Sequence, residues 1–174
     1  MNSSARSWWL RACPLLLGLL SCSGEDDSDR MCTLIGCQDS YALTVSSPDG
    51  TWPEGSYKLH VDLDSQGHDV DFVIDRPILG LGRDVIGGPE MSVSFLPEQP
   101  CPASGCTNVT RHHLVISGAK SPSTAKLTLS FNGQTVVDQG GDLLVSSSTP
   151  NGPDCEPTCR FAETKYTADV SATK

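Results

Sequence analysis

From about residue 40 onward, apolar and polar side chains alternate, and that period of two admits strands and leaves no room for long helices. Tyr57, Leu59, Val61 and Leu63 alternate with Lys58, His60, Asp62 and Asp64. Such a run turns one face to a core and the other to water. Val70, Phe72 and Ile74 alternate with Asp69, Asp71 and Asp75, with Val73 the apolar exception on the outer side. Met91, Val93 and Phe95 alternate with Ser92 and Ser94, and Ala125, Leu127, Leu129 and Phe131 with Lys126, Thr128 and Ser130. Weaker strands are read at residues 41–45, 113–117, 143–146 and 161–170. No window holds a 3.6-residue period for three turns.

Turn chemistry separates these runs. Pro48-Asp49-Gly50 is a strong turn. Asn132-Gly133 predicts a two-residue hairpin, because both central positions of a type I′ turn need positive φ. Residues 64–67, Asp-Ser-Gln-Gly, read as a second hairpin turn. Pro150-Asn151-Gly152-Pro153 stops any strand, since neither proline can donate to a ladder. The glycine-rich residues 80–89 read as a mobile loop or a sheet crossover. The chain has 16 Gly and 12 Pro, which suits many short strands. The fold expected is all-β: an antiparallel two-sheet β-sandwich with about eight strands.

The first 21 residues carry a different pattern. Arg6 and Arg11 precede a short apolar run at 14–20, Pro-Leu-Leu-Leu-Gly-Leu-Leu. A bilayer span needs about 20 apolar residues, so this is an export leader and not a permanent span. It ends in Leu19-Leu20-Ser21-Cys22, with no clear Ala-x-Ala site nearby. That ending resembles the bacterial lipobox. The resemblance implies that the Cys22 thiol receives diacylglycerol, that the chain is cut before it, and that lipid then holds the protein to a membrane. Ser23 fits sorting to the outer membrane. Residues 22–31 form an acidic tether with nothing apolar enough to bury. The organisation expected is a lipoprotein signal peptide at 1–21, the tether at 22–31 and one sandwich domain at 32–174.

Removing the leader leaves 12 basic residues less Arg6 and Arg11, against 21 acidic ones, a net charge of −11. Phosphate backbones repel such a chain, so nucleic acid is excluded as a partner.

Eight cysteines are present. Cys13 leaves with the leader and Cys22 is assigned to lipid. Cys32, Cys37, Cys101, Cys106, Cys155 and Cys159 remain, an even set that reads as three disulfides in an exported chain. Six cysteines allow 15 pairings. The set falls into three close couples, of which Cys101/Cys106 is expected to close locally. For the other four, local and end-to-end pairing are both open. The spacings C-x₄-C, C-x₄-C and C-x₃-C lack histidines at zinc-finger distance, which argues against a zinc site.

Two stretches carry a wider resemblance. Residues 52–59, Trp-Pro-Glu-Gly-Ser-Tyr-Lys-Leu, resemble the opening strand of Ig-like and prealbumin-like bacterial domains. Pro150-Asn-Gly-Pro-Asp-Cys155-Glu-Pro-Thr-Cys159, with Ile35-Gly36-Cys37, is similar to the closing loop of uncharacterised bacterial lipoproteins. The resemblance implies a β-sandwich and brings no activity, cofactor or site residue with it.

Few constellations suggest chemistry. His112 and His113 are neighbours in a strand and therefore point to opposite faces. His60 and His68 flank a hairpin turn, and with Asp62 and Asp71 they offer an alternative reading as a nitrogen and oxygen metal site. Asp62-x-Asp64-x-Gln66-Gly67 is a poor calcium loop, because Val73 stands where the bidentate Glu belongs. No Gly-x-Ser-x-Gly elbow, His-Glu-x-x-His or phosphate-cradling glycine loop is present, so no catalytic residue and no cofactor is assigned. Asn108-Val-Thr110 matches the N-glycosylation pattern, which a bacterial leader makes incidental. The expectation is a lipid-anchored envelope module whose loops meet a protein or glycan ligand. The loops carrying Trp52, residues 80–89 and Cys101–Cys106 are the candidate contact surface.

Overall fold

The computed structural model describes residues 35–88, 90–101, 105–106 and 109–170. The leader at 1–21, Cys22, the tether at 22–31, Cys32 and Asn108 lie outside the described residues.

Each alternating run forms a strand. Tyr57, Leu59, Val61 and Leu63 lie buried along β2 (Gly55–Leu63), and Val70 and Ile74 do so along β3 (Gln66–Ile74). The other strong runs become β5 (Ser92–Pro97) and β7 (Thr124–Phe131). The weaker ones become β1 (Ser40–Ser46), β6 (His112–Gly118), β9 (Leu144–Ser148) and β10 (Cys159–Thr167). With β4 (Arg83–Ile86) and β8 (Gln134–Asp142), the described residues hold ten strands.

These strands make two sheets. One has six strands in the order β4-β5-β6-β1-β10-β9, and the other has four in the order β3-β2-β7-β8. The inward residues of both belong to one hydrophobic core. Each large side chain buried there stabilises the fold by roughly 1.5–3 kcal/mol relative to exposure. Five aromatic rings, Trp52, Tyr57, Phe72, Phe95 and Phe131, join in a chain of contacts with centroids 4.7–6.2 Å apart. The result is a disulfide-stapled β-sandwich.

The hairpin turns have the geometry their residues demand. Asn132 and Gly133 take φ of 49° and 83°. Asp64 and Ser65 take 48° and 70°, so the β2–β3 turn is two residues long, shorter than the four read from sequence. The strain of a left-handed aspartate is offset by its side chain. Asp64 Oδ1 accepts from the amides of Ser123 (3.0 Å) and Thr124 (3.0 Å) and from the Ser123 hydroxyl (2.8 Å). These bonds hold the Asp64 carboxyl below its ordinary pKa, the Ser123 hydroxyl contributing most.

Three features differ from the sequence reading. Residues 80–89 contain the edge strand β4, because Arg83, Asp84 and Ile86 register with Phe95, Ser94 and Val93 of β5 across a bulge. β8 exists although its inward positions after Val137 are Gln139 and Gly141, which hide the alternation. Finally, one pairing is parallel: Ser40–Ser46 of β1 runs alongside Phe161–Thr167 of β10. All the others are antiparallel.

That parallel pair brings the starts of the first and last strands together. Cys37 and Cys159 bond there, 122 positions apart with Cα atoms 5.9 Å apart. Cys101–Cys106 closes locally, and Cys155 is also disulfide-bonded. The end-to-end bridge removes about 5 kcal/mol of denatured-state entropy in the chain-entropy model, against about 2 for the short loop.

Candidate functional site

The strand directions sort the connecting segments into two poles. At one lie Ile35 to Asp39, the Asp64-Ser65 turn, Glu90, Ser123 and the cysteine-bearing loop between β9 and β10. Asn151 fastens this pole: its Oδ1 accepts from the Ile35 amide and its Nδ2 donates to the Glu156 carbonyl, both at 2.8 Å. Asp39 Oδ1 accepts from the Arg160 amide at 2.8 Å. At the other pole lie the β1–β2, β3–β4 and β5–β6 loops. Described residues therefore enter the sandwich at the pole opposite these three loops.

The three loops meet over His112, which is 1% exposed. His112 N donates to the Gly50 carbonyl (2.8 Å), and the His112 carbonyl accepts from Trp52 Nε1 (2.8 Å). On the ring, Nε2 lies 3.1 Å from the Gly80 carbonyl. A carbonyl only accepts, so Nε2 is the donor in this contact. Nδ1 is buried without a hydrogen-bond partner among the described residues. Gly80 also donates to the Val109 carbonyl at 2.9 Å, tying β3–β4 to the loop of the Cys101–Cys106 staple.

Glycine is required in this arrangement. Gly82 has φ of 93°, and a Cβ there would stand 1.8 Å from the Phe95 carbonyl oxygen. Held this way, the β3–β4 loop projects Leu79 and Leu81, 56% and 73% exposed. Beside them is an open depression of about 380 Å³ lined by Arg76, Ile78, Leu79 and Arg83 among others. Arg83 pairs with Asp75 at 3.0 Å, and Arg111 with Glu98.

Trp52, on one of the loops named as a candidate contact surface, has its own side chain turned inward. It is buried, stacked edge-on against Tyr57 and Phe95, and supports the loops from beneath. His112, which the sequence places only on the face opposite His113, is the residue that joins all three loops. Its inward direction is readable from the alternation of β6; its partners are not. His113 points the other way and meets Ser46 Oγ at 2.9 Å.

The alternative metal set is divided by register. His60 stands opposite Asp69 and Val61 opposite His68. Directly paired residues share a face, so His68 lies on the core side with Val61 and His60 lies on the outer side. Asp71 stands opposite Lys58, their charged groups 3.8 Å apart. What gathers on the outer face is His60 between two carboxylates, Nδ1 2.7 Å from Asp69 and Nε2 3.4 Å from Asp62. The Asp69 hydrogen bond foremost, with Asp62 assisting, raises the His60 pKa above its ordinary value. Among the described residues, no group of three or more His, Cys, Asp or Glu side chains is arranged to hold a metal ion.

No protein-family model, no curated protein and no solved structure matches this chain.

Proposed function

We propose that this chain is a lipid-anchored protein of the bacterial cell envelope, attached through Cys22 and sorted to the outer membrane. Its sandwich acts there as a binding or structural module, with a protein or glycan as the partner of its loop pole. The observation that carries the reading is Leu19-Leu20-Ser21-Cys22 behind a charged and apolar leader.

Geometry supports it. Ile35, the first described residue, sits at the pole opposite the loops joined over His112. Ile35 lies thirteen positions after Cys22, a reach of up to about 45 Å when extended. The mature charge of −11 favours repulsion from anionic headgroups over lying flat on them.

Palmitate labelling in a bacterial host tests the anchor. The intact chain incorporates label and fractionates with membranes, and Cys22→Ala abolishes both. Undiminished labelling of the variant contradicts the proposal.

A further inference from the structure

We propose that the outer edge of β9 is a self-pairing edge, through which two copies of this chain join their six-stranded sheets antiparallel about a two-fold axis at Ser146.

A free edge strand is a hazard that proteins manage with charge, bulges or proline. The two sheets have four edges, β4, β9, β3 and β8. β4 carries Arg83 and Asp84 and a bulge. β3 carries Asp69 and Asp71. β8 carries Asp138 and Asp142, and its pairing with β7 is irregular. β9 is Leu-Val-Ser-Ser-Ser, with no charge, no proline and an unbroken register against β10. Among the described residues nothing pairs with its second edge.

Symmetry selects the occupant. Antiparallel self-pairing of β3 about Val70 sets Asp69 opposite Asp71 of the second copy. Self-pairing of β8 about Gly140 sets Asp138 opposite Asp142. Both place like charges face to face in an already acidic chain, which is destabilising. Self-pairing of β9 about Ser146 sets Leu144 opposite Ser148 and Val145 opposite Ser147, all neutral.

The face beside this edge also wants cover. Leu144 is 72% exposed and Phe161 39% exposed. Leu144 pairs with Glu163 and Ser146 with Phe161, so the two apolar side chains are diagonal neighbours on the outward side while Ala162 is buried. In the dimer, the small serines of one copy leave room for Leu144 of the other.

Five residues per copy bury far less than the roughly 800 Å² per partner of a stable interface. The pairing is therefore weak in solution and strengthened by confinement to a membrane plane. That strengthening rests on the lipid-anchored reading; the edge itself does not.

The test uses the full chain in detergent and in phosphatidylethanolamine–phosphatidylglycerol vesicles. In detergent, sedimentation of the wild type and of Cys22→Ala is expected to show the same concentration-dependent dimer. Ser146→Asp, which opposes two carboxylates at the axis, weakens that dimer at least tenfold. Ser146→Cys forms a disulfide-linked dimer under mild oxidation, and in vesicles it does so at lower protein density than in detergent. A chain monomeric at millimolar concentration, or a dimer indifferent to Ser146→Asp, overturns the proposal. A dimer that breaks with Ser146→Asp but gains nothing on vesicles upholds the edge and counts against the lipid anchor.

Discussion

His112 Nε2 lies 3.1 Å from the Gly80 carbonyl, and through that contact a strand-start histidine holds the loop that projects Leu79 and Leu81. The same residue bonds the β1–β2 loop through its main chain. Replacing His112 with Leu keeps an apolar volume and removes the side-chain bond. The expected loss is about 1–2 kcal/mol, the size of one buried hydrogen bond. Hydrogen exchange should quicken at the Gly80 amide more than at the Leu59 amide in mid-β2. Equal effects at both would show that His112 acts only through global stability.

The approach of Gly82 to Phe95 makes a paired substitution informative. Gly82→Ala sets a Cβ against a backbone carbonyl in a left-handed conformation. It is expected to destabilise by about 3 kcal/mol or more. Gly133→Ala, with φ of 83° but open space around it, carries only the conformational term of about 1–2 kcal/mol. Denaturant midpoints of the two variants check the order.

The disulfides differ in reach. Replacing Cys37 and Cys159 together with Ala removes a loop spanning 122 positions, with an expected cost of about 5 kcal/mol. The Cys101/Cys106 pair costs about 2 in the same model. Denaturation in urea should rank the first variant well below the second. It should also loosen the parallel β1·β10 pair first, visible as faster exchange from Ser40 to Ser46.

How much of this was legible in the sequence depended on where each strand's partners lie. β2 and β7 announce themselves by an unbroken alternation of apolar inward and polar outward positions, and β3 does so with only Val73 and His68 as exceptions. β8 does not, since its inward Gln139 and Gly141 are exposed and interrupt the apolar alternation. β4 is four residues at an edge, too short for a period to register. The parallel β1·β10 pair joins the two chain ends, and no local spacing encodes it. That is also why the cysteine couples left end-to-end pairing open. For the loop pole, the sequence names loops that the fold gathers at one end, but it does not show that Trp52 is buried there with its indole N–H donating to the His112 carbonyl.

Two ionisable groups give opposite pH signatures. Asp64 has a folded pKa below its unfolded value. Its contribution is therefore present above about pH 3.9 and is lost as pH falls through the lower folded midpoint. Asp64→Asn should flatten the acid limb of the stability curve. His60 has a folded pKa above its unfolded value. Its contribution is complete below about pH 6.5 and is lost as pH rises through the folded midpoint. Because His60 is exposed, solvent screening limits that contribution to no more than about 1 kcal/mol. NMR titration of the His60 ring should give a midpoint above 6.5 that falls in Asp69→Asn.

The account stands on lipid attachment at a single thiol. The most direct measurement is the intact and N-terminal peptide mass of the protein extracted from bacterial membranes. The result expected is a chain beginning at Cys22 whose first residue carries diacylglycerol and fatty acyl mass. A mature chain that begins at another residue, or an unmodified Cys22, contradicts it.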